Sequence, residues 1–286
     1  MINWDDFKCR CSGIQKLLTT GSECQQITEK QEAELKKLQD KERTAIQEQE
    51  MQRLLALKAN SGKIVFGLTA IDYLMEVYAW MKESMISVSK ESLDVLQMKK
   101  GKWVEAASVE LLSLVEKQLY KVHKERIEND FLSGEIDTYL GESVYKATNI
   151  TDIKASWDYP TFLKRIKAPL VVGRKEQLQG YGDITSAGDL FVAESLISAP
   201  KEIIDEMKWK VAKKLGLATP EASEMREIWP LWEHSMTFEV IPAHRRLHKK
   251  KIEPFTSFEQ QKVYDRVKYA REWLWKFDEE HENMNK

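Results

Sequence analysis

The pattern of elements along these 286 residues predicts an α/β or α+β fold, with a central mixed β-sheet flanked by helices. Three observations carry that expectation. Two short apolar stretches, Phe131–Asp137 and Ile150–Ser156, alternate as strands do, and Ala187–Ile197 reads as a third strand. Runs with helical spacing lie before, between and after them, at Leu68–Met81, Gly101–Tyr120, Arg174–Tyr181, Ile203–Leu215 and Phe258–Phe277. The chain is also long enough to bury one large core, or a core with a small insertion.

In chain order, Ser12–Thr19 predicts a short helix. From about Gln26 to Asn60 the chain is polar and free of Gly and Pro, with a weak repeat: Ile27, Glu29, Leu35 and Leu38 recur 19 residues later as Ile46, Glu48, Leu54 and Leu57. Two similar helices folded back near Asp40–Thr44 account for the repeat; one continuous helix is the alternative. Either element is too polar to be core, and is expected to project and to touch DNA or a neighbouring subunit. Ser61-Gly62 marks a boundary. Thr69 is the expected N-cap of the Leu68–Met81 helix. Pro220 and Pro230 bracket a loop-rich insertion, Met236–Ile241 is a further strand candidate, and Phe258–Phe277 closes the chain. The expected divisions are 1–25, an N-terminal helical region; 26–60, the hairpin insertion; and 61–286, the core.

The formal charge is −2, so the chain is not coated with positive charge for nonspecific binding to nucleic acid. Any phosphate track must be local: Lys164-Arg165-Ile166-Lys167, Arg174-Lys175, or the run from Arg245 to Lys251. Such clusters are also common as solvated faces. Three cysteines, Cys9, Cys11 and Cys24, make no even disulfide framework and too few soft ligands for a four-cysteine cluster. No stretch has the apolar length of a membrane span, and the first residues lack the pattern of a signal peptide, so a cytoplasmic location is expected. His244 and His248 share helical spacing, but among Arg245, Arg246 and Lys249 they read as a basic segment.

The chemistry concentrates at Asp137 and at the triplet Asp152-Ile153-Lys154. Strand alternation puts Asp152 and Lys154 on one face, with Ile153 on the other. If the two stretches pair, Asp137 joins Asp152, and two adjacent carboxylates suit a hard divalent cation such as Mg²⁺, with Mn²⁺ as a substitute. A lysine beside such a site can position or deprotonate a water, or stabilise charge on a phosphate. Gly134, three residues before Asp137, would let backbone or phosphate approach closely. Taken alone, an Asp-x-Lys triplet arises often in a chain this charged, and an exposed ion-pair face is its bland reading.

What strengthens it is company in order. Lys8-Cys9-Arg10-Cys11-Ser12-Gly13, then Leu96–Glu105, then the acidic pair with Lys154, then Glu176-Gln177-Leu178-Gln179-Gly180-Tyr181, together resemble the YqaJ-type viral recombinase exonucleases. These are relatives of phage lambda exonuclease in the PD-(D/E)xK superfamily, and the resemblance runs from about residue 8 to about residue 276. It implies a restriction-endonuclease-like sheet and a Mg²⁺-dependent 5′–3′ exonuclease acting on linear duplex DNA in phage or prophage recombination. The implied ligands are Asp137, Asp152, the Ile153 carbonyl and Glu105. Lys154 is the implied catalytic lysine, and Gln177, with Gln179 as second choice, would hold the lysine or the water. The resemblance further implies that Arg10 and Ser12 receive a 5′ phosphate, and that a ring trimer works with a single-strand annealing protein in a bacterial cytoplasm; of the basic clusters, Lys164, Arg165 and Arg174 flank the proposed site and are the DNA-backbone candidates. Asp152 stands where many relatives carry Glu. Alternatives from the residues alone are another endonuclease or repair nuclease of the superfamily, a non-catalytic DNA-binding protein, and a helical scaffold.

Overall fold

A computed structural model describes residues 2–20, 28–39, 44–60, 65–86 and 96–284. Cys24, the expected turn at 40–43 and the Ser61-Gly62 boundary lie outside these residues. The chain forms two compact units, one of residues 1–9, 13–87 and 261–286, the other of residues 10–12 and 88–260. The segment 61–286 thus contributes to both.

In the first unit the helices are α1 (Ile14–Leu17), α2 (Glu29–Gln39), α3 (Ala45–Asn60) and α4 (Leu68–Glu83), together with most of a C-terminal helix described below. α2 and α3 are separate helices packed on each other through Leu35, Met51 and Leu54, so the two-helix reading of the repeat holds and the continuous helix does not. Each starts with the same device. Thr28 and Gln31 exchange hydrogen bonds, and so do Thr44 and Gln47, reciprocally satisfying two backbone N–H groups at each helix start. Polar as they are, the helices bury their apolar stripes against one another. α4 begins at the N-cap Gly67 and not at Thr69, which lies inside the helix. Trp4, fully buried, stacks on Tyr78 and donates to Asp278; Tyr78 and Lys82 bind the other carboxylate oxygen. Burial opposes that carboxylate's charge, but the three donors outweigh it and hold Asp278 below the usual carboxylate range.

The second unit contains α5 (Leu96–Trp103) and α6 (Glu105–Glu116), so the helix expected over 101–120 is two helices broken at Val104. After them come β2 (Lys121–Val122), β3 (Ile127–Glu128), β4 (Leu132–Gly134), β5 (Thr138–Gly141) and β6 (Ala147–Ala155). α7 (Tyr159–Lys167), α8 (Arg174–Thr185), β7 (Asp189–Ser195), α9 (Lys201–Lys214), α10 (Met225–His234), β8 (Leu247–Ile252) and α11 (Ser257–Met284) complete the chain, and α11 passes from this unit into the first. A mixed sheet runs β2-β5-β6-β7-β8, antiparallel except for the parallel pair β6–β7. The crossover between those parallel strands carries α7 and α8, as a parallel connection requires. A second, three-stranded sheet has the order β1-β4-β3, with β1 spanning Cys9–Arg10.

α6 covers one face of the five-stranded sheet. Val109 and Leu112 pack on Ile153 and Ala193, and Ser108 and Ser195 share a 3.0 Å hydrogen bond. α8 packs along β6 and β7, with Leu178 and Tyr181 buried. Burying each such large apolar side chain contributes about 1.5–3 kcal/mol, and it fixes which strand residues face which helix.

Two sequence expectations fail here. The stretch 220–230 is a loop only as far as Glu224: α10 starts at Met225 and includes Pro230, because burial of Met225 and Trp229 with α9 offsets the backbone hydrogen bond that proline removes. Met236–Ile241 is not a strand. Met236 and Phe238 anchor turns, with Ala199 N–H donating to the Met236 carbonyl and Phe238 N–H to Ser198 Oγ. The edge strand is instead β8, drawn from the basic run that read as solvated. Its lysines alternate. Lys249 binds Glu116 and lies over the Phe191 ring at 4.1 Å, while Lys250 donates to the Arg165 and Ala168 carbonyls at the end of α7. Lysines on an edge strand also discourage further strand pairing.

Candidate active site

The two acidic stretches do not pair as strands; the strand that follows the first one, β5, pairs with β6 and brings Asp137 to the same place. Phe131–Asp137 is not a single strand: β4 goes to the three-stranded sheet, and β5 starts at Thr138. Thr138 pairs with Thr151, so Asp137, just before β5, comes beside Asp152. Asp137 Oδ2 accepts from Ile153 N–H at 2.8 Å. Lys154 Nζ lies 2.8 Å from Asp152 Oδ1 and 3.5 Å from Asp137 Oδ2, so the lysine and both carboxylates share one site.

Their environments differ. Asp152 is only 2 % exposed, whereas the Asp137 and Lys154 side chains are about a third open to solvent, at 28 % and 32 %. Burial pushes the Asp152 carboxyl up to about 6, against the pull of Lys154, and the Asp137 charge adds to the rise. Burial alone would lower Lys154, but the two carboxylates more than offset it and the ammonium is held above its usual range. Asp152 Oδ2 is buried without a hydrogen-bond partner. An uncompensated buried carboxylate oxygen is costly, and a hard cation bound there would supply what it lacks. Two carboxylates are an all-oxygen donor set of the kind that suits Mg²⁺, which keeps several waters.

Glu105 does not join them. It is exposed in the first turn of α6, the helix packed on the Ile153 and Ala193 face, opposite the Asp152 face. Among the described residues no group of three or more His, Cys, Asp or Glu is gathered as a metal cluster. Gln177 does reach the neighbourhood. Its Nε2 donates to Tyr181 Oη at 2.7 Å, and the Asp152 and Asp137 charges act on that hydroxyl. Gln179 is buried and donates to the Glu253 carbonyl, a structural bond that removes it as second choice. The space beside Gly134 is filled by Tyr181: an added Cβ would stand 2.5 Å from its ring and 3.2 Å from Cys11 Sγ. That glycine therefore admits a tyrosine and not a phosphate. The same packing brings the Arg10–Ser12 segment, whose Arg10 and Ser12 are exposed, alongside Tyr181.

Of the three basic clusters, the last is committed to β8 packing. Lys164 is exposed on α7. Arg165 and Arg174 both bind Glu194, at 3.3 and 2.8 Å. Glu194 is 3 % exposed and pairs in register with Lys154, so it points to the same sheet face. Sequence reading missed it. The signal available was a lone acid in the apolar run Leu190–Leu196. A separate cavity of about 410 Å³, lined by Lys208, Met225, Arg226, Trp229 and neighbours, includes none of these residues.

Comparison with solved structures decides the fold. A phage-related exonuclease from Haemophilus somnus 129PT superposes with a TM-score of 0.58 at 20 % identity, covering 96 % of this chain and 97 % of that one. The chain has an exonuclease fold. An alkaline exonuclease from Laribacter hongkongensis matches with a TM-score of 0.51 at 9 % identity, covering 97 % of this chain and 94 % of its own, and the same enzyme solved with dAMP matches at 0.52, covering 98 % and 96 %. This is the fold that the YqaJ-type, lambda exonuclease-like resemblance implied. No protein-family model and no curated protein sequence matches the chain.

Proposed function

We propose that this protein is a Mg²⁺-dependent deoxyribonuclease of phage or prophage recombination, an exonuclease that degrades linear duplex DNA 5′ to 3′ and leaves single strand for annealing. The observation that carries this reading is the convergence of Asp137, Asp152 and Lys154 at the β5–β6 junction, with a buried carboxylate oxygen of Asp152 left for a cation. The exonuclease fold supports it.

In this reading Asp137, Asp152 and the Ile153 carbonyl would hold the metal, and Glu105, exposed in the first turn of α6 and not gathered with them, is left out of the ligand set. Mg²⁺ held there would supply Lewis-acid activation of a water and neutralisation of phosphate charge. The protein's own groups do the rest. Lys154, held as a cation by its two carboxylates, faces the attacked phosphate and stabilises the charge that develops there. The Asp137 carboxylate, anchored by the Ile153 N–H, keeps the end of β5 against β6. Gln177 and Tyr181 form a polar wall beside the pair and orient water. Arg10 and Ser12 receive the 5′ phosphate, and Lys164 follows the backbone. A ring trimer and a single-strand annealing partner in the bacterial cytoplasm belong to the same proposal, and membrane attachment does not; no helix among the described residues is long and apolar enough to cross a membrane.

The test is digestion of end-labelled linear duplex beside a closed circle, with and without Mg²⁺, using wild type and Lys154→Ala. The expected result is Mg²⁺-dependent loss of the linear form alone, and a fall on the order of 10²–10³ in rate for a variant that melts normally. A Lys154→Ala protein cutting within a few-fold of wild type would remove the assignment. Cutting of the closed circle would replace it with an endonuclease.

A further inference from the structure

We propose that Arg174 and Arg165, fixed by the buried Glu194, form a phosphate-binding fork for the strand being cut, taking a phosphodiester that flanks the one hydrolysed. This rests on the nuclease reading above and adds a subsite to it.

The geometry begins with Glu194. Its register with Lys154 puts it on the catalytic face of the sheet, and its burial demands partners. Each carboxylate oxygen binds a different guanidinium: Oε1 takes Arg174 Nη1 at 2.8 Å, and Oε2 takes Arg165 Nη1 at 3.3 Å. A single bidentate arginine would be enough to neutralise one buried carboxylate. Here two share it, so the cluster keeps a net positive charge, and each fork retains donors beyond the one used. The arginines come from different elements, Arg174 at the first position of α8 and Arg165 in the last turn of α7. Arg165 is tied further to the Ala155 carbonyl, directly after Lys154.

The cluster also belongs to the catalytic neighbourhood. The Arg174 charge acts on both Asp152 and Lys154, yet among the described residues its hydrogen bond is to Glu194. Lys154 already occupies the place next to the carboxylates. Arg174 therefore serves a phosphate beside the scissile one. With side chains 17 % and 34 % exposed, Arg174 and Arg165 are open enough to be reached and buried enough to be rigid. Glu194 is a positioning residue in this scheme, since it touches the arginines and not the DNA.

The experiment measures binding in chelator, and kcat and KM in Mg²⁺, on duplexes carrying a single uncharged methylphosphonate at successive positions around the cut. Wild type should lose about 10- to 100-fold in affinity at one flanking position, the range for a charge-assisted hydrogen bond. Arg174→Ala should show that loss on unmodified DNA and none further at that position, with a salt dependence shallower by about one phosphate contact. Arg174→Lys keeps the charge without the fork and should recover only part. Glu194→Gln makes the site more positive, yet should lose the position dependence, which a purely structural ion pair would leave untouched. The proposal is overturned if folded Arg174→Ala binds within about two-fold of wild type or still discriminates that position. If Arg174→Ala does not fold, Arg174→Lys decides by the same discrimination. A wild type that cleaves no duplex in Mg²⁺ would refute the nuclease reading separately, while the binding arm still reports on the fork.

Discussion

Lys100 gives the most quantitative test of how this fold is held where β6 ends. It lies on α5 with 1 % of its surface exposed, and its ammonium donates to the Ser156 and Trp157 carbonyls at 3.0 and 2.9 Å, immediately after β6. The Phe238 and Trp157 rings lie 5.2 and 5.8 Å from it. Burial pushes this lysine down to about 8, with Asp158 pulling partly the other way. The folded protein therefore sheds its proton near pH 8, while the unfolded chain keeps it to about 10.5. Between those values the unfolded state binds more protons, so stability from this group rises with pH; below about 8 the penalty is fully present. A separation of roughly two and a half pH units corresponds to about 3 kcal/mol.

Lys100→Met is the informative variant, because it keeps the length and removes the charge. It also leaves two carbonyls without their donor, at about 1–3 kcal/mol each. That loss has no pH dependence. Urea unfolding of both proteins from pH 7 to 10.5 should thus show the variant falling behind wild type by about 3 kcal/mol more at the alkaline end than at the neutral end. Taking the difference cancels Cys9 and Tyr78, whose burial raises each to about 12 and lowers alkaline stability in both proteins alike. A wild-type minus variant difference that stays flat across this range would refute the reasoning, and would mean that the carbonyls and ring faces keep Lys100 charged in the fold.

Other expectations can be checked with simpler assays. Gly134→Ala drives a methyl into the Tyr181 ring and should lower stability by about 1–3 kcal/mol in thermal melts and reduce cleavage by disturbing the Gln177–Tyr181 bond; unchanged melting and rate would show that the ring moves freely. Arg10→Ala should slow cleavage of a 5′-phosphorylated end more than a 5′-hydroxyl end, by about 1.5–3 kcal/mol in kcat/KM; equal slowing would place Arg10 elsewhere on the DNA. Chelation should abolish cleavage and readdition of Mg²⁺ or Mn²⁺ restore it, with Ca²⁺ supporting binding but little turnover. Full activity in excess chelator would remove the metal.

What the sequence determined by itself is local and periodic. The repeat over about residues 26–60 predicts helices because apolar spacing is written in neighbouring residues; the packing of α2 on α3 chose two helices over one, and the Thr-x-x-Gln starts were the local signal for it that went unread. Asp152 and Lys154 share a face because strand alternation is a property of the backbone, and that placed the two side chains together before any contact was known. Tertiary structure decided whatever depends on distant partners. Within Phe131–Asp137 only Leu132–Gly134 is a strand, because it pairs with Ile127–Glu128, while the pairing with Ala147–Ala155 falls to the next residues, Thr138–Gly141. The composition of Leu247–Ile252 did not reveal β8, since its lysines are held by Glu116 and by the carbonyls ending α7, both remote in sequence. Glu105 looked like a ligand from its order in the chain, but the apolar face of α6 sets that helix on the other side of the sheet. Glu194 carried no local signal beyond being a lone acid among apolar neighbours. Its meaning comes from facing Lys154 across β6 and β7 while two helices deliver arginines to it, an arrangement that only the folded chain assembles.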